Sequence, residues 1–387
     1  MALFAYGFRP LFLLAGVGAL LLVPAWALDF AFGVSPGSGW PPTLWHAHEM
    51  LFGFIASAVG GFLLTAVPSW TGQKGFAGQP LMVLTALWLA ARIMIASSSL
   101  WPPLLPAAVD LAFIPALGVL IAGPLLRSRN RNTPLLLVLA LLWLADLTFH
   151  VGLAHRDAPL ALHALLIGID VMLVMVTVIG GRIVPAFTAA ALRSRGGEGA
   201  VTSRPGATAA AVAAMIAVTL GDLAVPDSRL AGMLAAAAAV IQAWRLTQWA
   251  GLRTLRQPIV WVLHLAYLWL PLGLGLKSIA LLEGAAFSAF WLHALTIGVL
   301  STMILAVMTR AALGHTGRPL VVHPVTALSY ALLTGAALVR VFGLALLPLS
   351  YPLVILLAAL LWTAAFLLFV VVYAPILCRA RADGKPG

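Results

Sequence analysis

Three histidines recur in one pattern along the 387-residue chain. His48 heads His48-Glu-Met-Leu-Phe-Gly53, His163 heads His163-Ala-Leu-Leu-Ile-Gly168 and His293 heads His293-Ala-Leu-Thr-Ile-Gly298, so each copy reads His-x4-Gly. Two further histidines lie in apolar surroundings, His150 in Leu147-Thr-Phe-His150 and His264 in Trp261-Val-Leu-His264. Imidazole is the commonest protein ligand for transition metals, so the chemistry these residues offer is metal binding. A lone histidine near the end of an apolar segment is more often a packing or interfacial residue. Several on different segments point inward, because polar groups in a membrane are costly and gather where they function.

Carboxylates accompany them. Asp146 stands four residues before His150, on one helical face, where it could orient an imidazole ligand. Asp170 follows His163 by seven residues, about 10 Å deeper along the same face, as a proton-relay candidate. In Trp45-His46-Ala-His48-Glu49, His46 and Glu49 share a face while His48 points elsewhere, which leaves His46 and Glu49 for a neighbouring site or an entry path. A second group, Arg182, His264, Arg310 and His315, falls toward the other ends of the segments. Its arginines either follow the charge bias of membrane topology or grip anionic groups with their guanidinium forks. The single cysteine, Cys378, permits no internal disulfide and no Cys-based metal site.

These residues are embedded in a chain that is 63% hydrophobic and 9% charged, with a mean hydropathy of +1.07. A water-facing surface needs about a quarter of its residues charged, so the solvent is a lipid bilayer. Twelve apolar stretches are long enough to cross it: about 10–33, 44–68, 78–97, 104–126, 134–154, 158–184, 206–223, 228–250, 257–281, 286–312, 323–345 and 350–376. The expected class is an all-α polytopic membrane protein forming one integral membrane domain. Arg9, an apolar run and Ala25-Trp26-Ala27 imitate a signal peptide, but the run is long for that role and its removal would break the repeat described next.

The net charge of +11 is unevenly placed. Lys74, Arg127, Arg129, Arg131, Arg193, Arg195, Arg204, Arg253, Arg256, Arg318, Arg379, Arg381 and Lys385 all follow even-numbered spans, and the opposite loops are nearly bare. Positive-inside bias puts both termini in the cytoplasm, and the basic charge is a topology signal rather than a nucleic-acid surface. His48, His163 and His293 then recur four spans apart, which divides the chain into three four-helix pseudo-repeats, about 1–132, 133–256 and 257–387. Around a pseudo-threefold axis the three imidazoles would converge near the periplasmic side, whereas His264 and His293 lie on opposite sides and should not share a metal.

Several segments resemble the NnrS family of bacterial membrane proteins: Gly7-Phe-Arg-Pro10, Trp45-His-Ala-His-Glu-Met-Leu-Phe-Gly-Phe54, Ile179-Gly-Gly-Arg-Ile183, His264-Leu-Ala-Tyr-Leu-Trp-Leu-Pro-Leu-Gly273 and Leu305-Ala-Val-Met-Thr-Arg310 through Gly314-His-Thr-Gly-Arg-Pro-Leu320. The resemblance implies an inner-membrane protein that carries haem and copper and acts in nitric oxide metabolism and resistance to nitrosative stress. The lack of Cys-x-x-Cys-His makes such a haem non-covalent, of b type. On this basis His48 and His293 are expected as haem ligands, His163, His150 and His46 as copper or second-haem ligands, and Arg182, Arg310, His264 and His315 as partners of the haem. Asp146, Asp170 and Glu49 are expected to support the chemistry.

The three-by-four plan also resembles that of haem-copper oxidases. It departs from that plan in having no adjacent His-His pair after the sixth span and no His-x-His on the tenth, so an oxygen-reducing binuclear centre is not expected. The leading reading is redox conversion or capture of nitric oxide with an unassigned electron donor. The alternatives are a transporter with His/Asp coupling sites and a haem-based sensor or metal-handling protein without turnover.

Overall fold

The computed structural model describes residues 2–34, 39–194, 201–202 and 204–385. Arg195 and most of the polar connection between the sixth and seventh spans fall outside them, as does part of the loop between the first and second. Among the described residues the chain is helical without strands, and twelve helices are long and apolar enough to cross a membrane. They are α1 (Phe8–Phe32), α2 (Pro42–Thr71), α3 (Gln79–Ala96), α4 (Leu104–Arg127), α5 (Leu135–Ala154), α6 (Ala158–Arg193), α7 (Pro205–Ala224), α8 (Arg229–Thr247), α9 (Pro258–Glu283), α10 (Ala286–His315), α11 (Pro324–Leu346) and α12 (Tyr351–Cys378). The protein is thus an all-α polytopic membrane protein. Large apolar side chains in mid-helix point outward, Val119 and Val240 being 76% and 70% exposed. That arrangement suits lipid and not water.

The expected spans are reproduced within a few residues, except that α6 continues nine residues past its expected end at 184. Pro185 lies inside this helix without ending it. At 36 residues, α6 is about 54 Å long and overreaches a hydrocarbon core of roughly 30 Å.

Two local departures from α geometry bear on function. Residues Glu49–Ile55 of α2 and Ala294–Ser301 of α10 form π-turns, each beginning one residue after a histidine of the repeat, His48 and His293. A π-turn widens the helix and frees carbonyls for other partners; Gly53 O accepts from Trp88 Nε1 of α3 at 2.8 Å. The other departure is a break in α4 at Leu111 and Ala112, between Leu104–Asp110 and Phe113–Arg127. Its cause is Pro115, which has no N–H to give to the carbonyl four residues earlier. That carbonyl, Leu111 O, accepts from Trp143 Nε1 of α5 at 3.0 Å instead. Asp110 is therefore held at the end of a helical segment.

The chain packs as two compact units. The first comprises residues 1–168, 308–320 and 362–387, and the second residues 169–307 and 321–361. In the first, fully buried Arg9 donates from Nη1 to Leu377 O at 2.9 Å and Arg379 O at 2.7 Å. A cation there satisfies the carbonyls that the end of α12 leaves unpaired. Trp362 Nε1 donates to Ala19 O at 2.8 Å, tying α12 to α1. In the second unit, the Arg340 guanidinium lies 4.6 Å from the Phe290 ring centroid and donates to Tyr351 Oη at 3.1 Å.

Candidate metal centre

Four consecutive helices of the first unit carry charged or imidazole side chains to one point: His48 and Glu49 from α2, Arg92 from α3, Asp110 from α4, and Asp146 and His150 from α5. All six are buried, from 0% exposure at His48 to 8% at Arg92 and His150. His48 Nε2 lies 3.0 Å from Asp110 Oδ2 and 3.2 Å from Asp146 Oδ1. His150 Nε2 lies 3.1 Å from the same Asp110 oxygen and 3.6 Å from the same Asp146 oxygen. One ligand atom from each of the four residues falls within 4.8 Å of every other. Among the described residues this is the group of three or more such side chains able to hold an ion.

The four nitrogen–oxygen separations, 3.0–3.6 Å, are at or near hydrogen-bond lengths and lie at or slightly under the edges of a coordination shell. Metal bonds of ~2.0–2.2 Å to nitrogen and oxygen in a tetrahedral array put neighbouring ligand atoms about 3.3–3.6 Å apart. Charge leads to the same place. With neutral imidazoles, Glu49, Asp110 and Asp146 contribute three negative charges and Arg92 one positive, leaving two uncompensated in a buried site. A divalent cation cancels them, as does protonation of both imidazoles, whose Nε2 atoms lie at hydrogen-bond distance from the carboxylates; leaving the charges unpaired would be very costly. Two imidazoles with two carboxylates suit copper, zinc or iron. They do not suit haem iron, since four side-chain atoms closing on one point leave no room for a porphyrin. The adjoining cavity, lined by Phe52, Trp88, Arg92, Asp110, Phe113 and Asp146 among others, has a volume of about 10 Å³, enough for about one water.

A layer of partners fixes these ligands. His48 Nδ1 lies 3.2 Å from Glu49 Oε1, so an Nδ1–H donated to that carboxylate leaves the Nε2 lone pair facing the centre. Arg92 pairs through Nη2 with Asp110 Oδ1, and its Nη1 lies 3.0 Å from Glu49 Oε1, close enough for attraction although not aligned as a hydrogen bond. Gly53 makes this possible, because a Cβ there would lie 2.8 Å from Arg92 Nη1. The other glycines of the repeat are also close-packing positions, Gly168 against Leu51 and Gly298 against Trp269. Trp40 and Phe149 cover His48, with ring centroids 5.2 and 4.6 Å away.

Beside the centre is a mostly apolar cleft of about 720 Å³, lined by Trp40, Leu104, Leu111, Leu147, Val151 and His150 among others. It brings open space up to one ligand.

Of the residues expected from sequence, the structure brings His48, His150, Asp146 and Glu49 together. His46 instead stacks on Trp26 at 4.1 Å, and His163 is half-buried in the first turns of α6, outside the four-ligand group. His293 belongs to the second unit, where it is half-buried. His264 pairs through Nε2 with Thr188 Oγ1 at 2.7 Å. His315 stacks on Tyr6 at 5.9 Å. Arg182 is exposed in the second unit and Arg310 half-buried in the first. Asp170 is buried in the second unit beside Asp222 and Lys277.

Sequence reasoning missed Asp110 and Arg92. Their signal was present: each is an ionisable residue within an apolar span of a chain that has few such residues.

Fold and site together define a class, a polytopic helical membrane protein with a buried two-histidine, two-carboxylate centre. The chain belongs to the NnrS family, whose model, described as NnrS protein, matches residues 2–381. A search of curated proteins gives no match.

Proposed function

We propose that this protein is a bacterial inner-membrane metalloprotein that acts on nitric oxide, with copper held by His48, His150, Asp110 and Asp146. The observation that carries the proposal is the convergence of these four ligand atoms in one buried site. Bound copper would supply a one-electron redox couple and a coordination position for a diatomic ligand. Glu49 orients His48, Arg92 holds Glu49 and Asp110 in register, and Trp40 and Phe149 exclude water from the imidazoles. An apolar gas needs no polar channel, and the cleft beside His150 is its approach from the membrane.

Haem b, also implied by the family, is assigned to other histidines. His48 has both ring nitrogens facing carboxylates, which supports a role at the copper and not at the haem. His293, at the head of the second π-turn, is the residue proposed to hold a haem, if bound, in the second unit. His264 is a further candidate, and Arg182, toward the same end of the second unit, is proposed as a partner for a haem's anionic groups there. The π-turns that follow both His48 and His293 support reading the His-x4-Gly copies as repeats of one ancestral unit. Positive-inside bias supports cytoplasmic termini.

The proposal is tested by metal analysis of the purified protein together with a nitric oxide electrode and an electron donor. We expect copper in the wild type and its loss in Asp110→Asn, with nitric oxide consumption or stoichiometric uptake lost in parallel. Full copper in that variant would refute the assignment.

A further inference from the structure

The second unit holds a charge cluster that the metal centre does not use. Lys277 Nζ of α9 is ion-paired with Asp222 Oδ2 of α7, and Asp170, on α6, faces both groups. The residues are 3%, 8% and 5% exposed respectively. The Trp291 ring lies 4.7 Å from Lys277 Nζ, and the charged groups facing Asp170 are Lys277 and Asp222.

We propose that Asp170, Asp222 and Lys277 form a proton-binding site that holds one exchangeable proton within the membrane-spanning part of the second unit. Two ionised carboxylates have only acceptor atoms, so side by side in a buried site they repel unless one carries a proton. The charge count requires the same proton. Two carboxylates and one ammonium sum to minus one, and one added proton makes the buried cluster neutral. That proton is shared by the pair, so its titration belongs to the pair and not to either residue.

The way out lies at Asp222, whose side chain is 12% exposed against 4% for Lys277. Asp222 stands two residues before the end of α7. The cluster therefore lies near the membrane face where α7 and α9 end, which is the face poor in Lys and Arg. The ligand class is the proton, held by carboxyl oxygens and balanced by a fixed ammonium.

The test is isotope-edited infrared spectroscopy of the purified full-length protein with labelled aspartate at neutral pH. The wild type is expected to show a protonated-carboxyl carbonyl band that shifts on exchange into heavy water. Asp170→Asn and Asp222→Asn should each remove that component, because the one remaining carboxylate is neutralised by Lys277 without a proton. Lys277→Gln should instead raise the protonated-carboxyl intensity about twofold, since both aspartates then protonate. This variant supplies the answer if an aspartate variant does not fold. Absence of an exchangeable band in the wild type, its persistence in both Asp→Asn variants, or unchanged intensity in Lys277→Gln would overturn the proposal.

Discussion

Gly53 and Arg92 are matched: the space that a Cβ on Gly53 would fill is taken by Arg92, whose Nη1 lies 2.8 Å from that position. Gly53 is the last residue of the first His-x4-Gly copy, so one short motif supplies both a ligand and the room for the cation that supports it. Gly53→Ala should push Arg92 off Glu49 and Asp110 while leaving all four ligands in place. We expect copper affinity to fall about 10-fold, as for other losses of groups that hold ligands. A competition titration with a copper chelator measures it, and unchanged affinity would show that Arg92 has slack.

Arg92 is the only guanidinium paired with both Glu49 and Asp110 among the ion pairs of this cluster. Removing it by Arg92→Gln leaves two buried carboxylates short of a cation, a change that typically costs about 3–5 kcal/mol. The expected outcome is a lower unfolding midpoint in detergent that added copper partly restores. Arg92→Lys should lie between the two, because a single ammonium cannot reproduce the guanidinium fork.

Much of this was legible in the sequence. Twelve spans followed from apolar run length, and His48, His150, Asp146 and Glu49 stood out as polar groups in apolar surroundings. Asp110 did not stand out, because its place at the centre depends on the break at Leu111 and Ala112 that Pro115 imposes, and on α4 lying beside α2 and α5. Arg92 shares no local pattern with its partners. The repeat drew attention to His163, which is outside the cluster, since equal spacing along the chain does not fix which helices pack together.

Arg381 and Asp383, near the end of the described residues, form a clasp whose strength depends on pH. Arg381 Nη1 donates to His315 O at 2.7 Å, and its Nε and Nη2 donate to the Asp383 carboxylate at 2.8 and 2.6 Å. These bonds hold the Asp383 carboxyl well below the usual carboxylate range. A depressed folded-state value means that the clasp is intact above the ordinary carboxylate pKa of about 3.9 and is lost only as pH falls through the lower value. Amide exchange at residues 381–385 should stay slow from neutral pH down past that point. Asp383→Asn should speed it at every pH above that lower value and make no difference below it.

The cleft beside His150 predicts a kinetic effect without a binding one. Leu147→Trp would fill part of its lining. Copper content should be unchanged, while stopped-flow association of nitric oxide should slow by several-fold. An unaltered rate would mean that the gas reaches the centre by another way.

The most direct test of the centre is copper stoichiometry in four purified single variants. His48→Ala and His150→Ala should each lose the bound copper, whereas His46→Ala and His163→Ala should retain it. Retention of full copper in His48→Ala and His150→Ala, or its loss in His163→Ala alone, would contradict a copper ion held by His48, Asp110, Asp146 and His150.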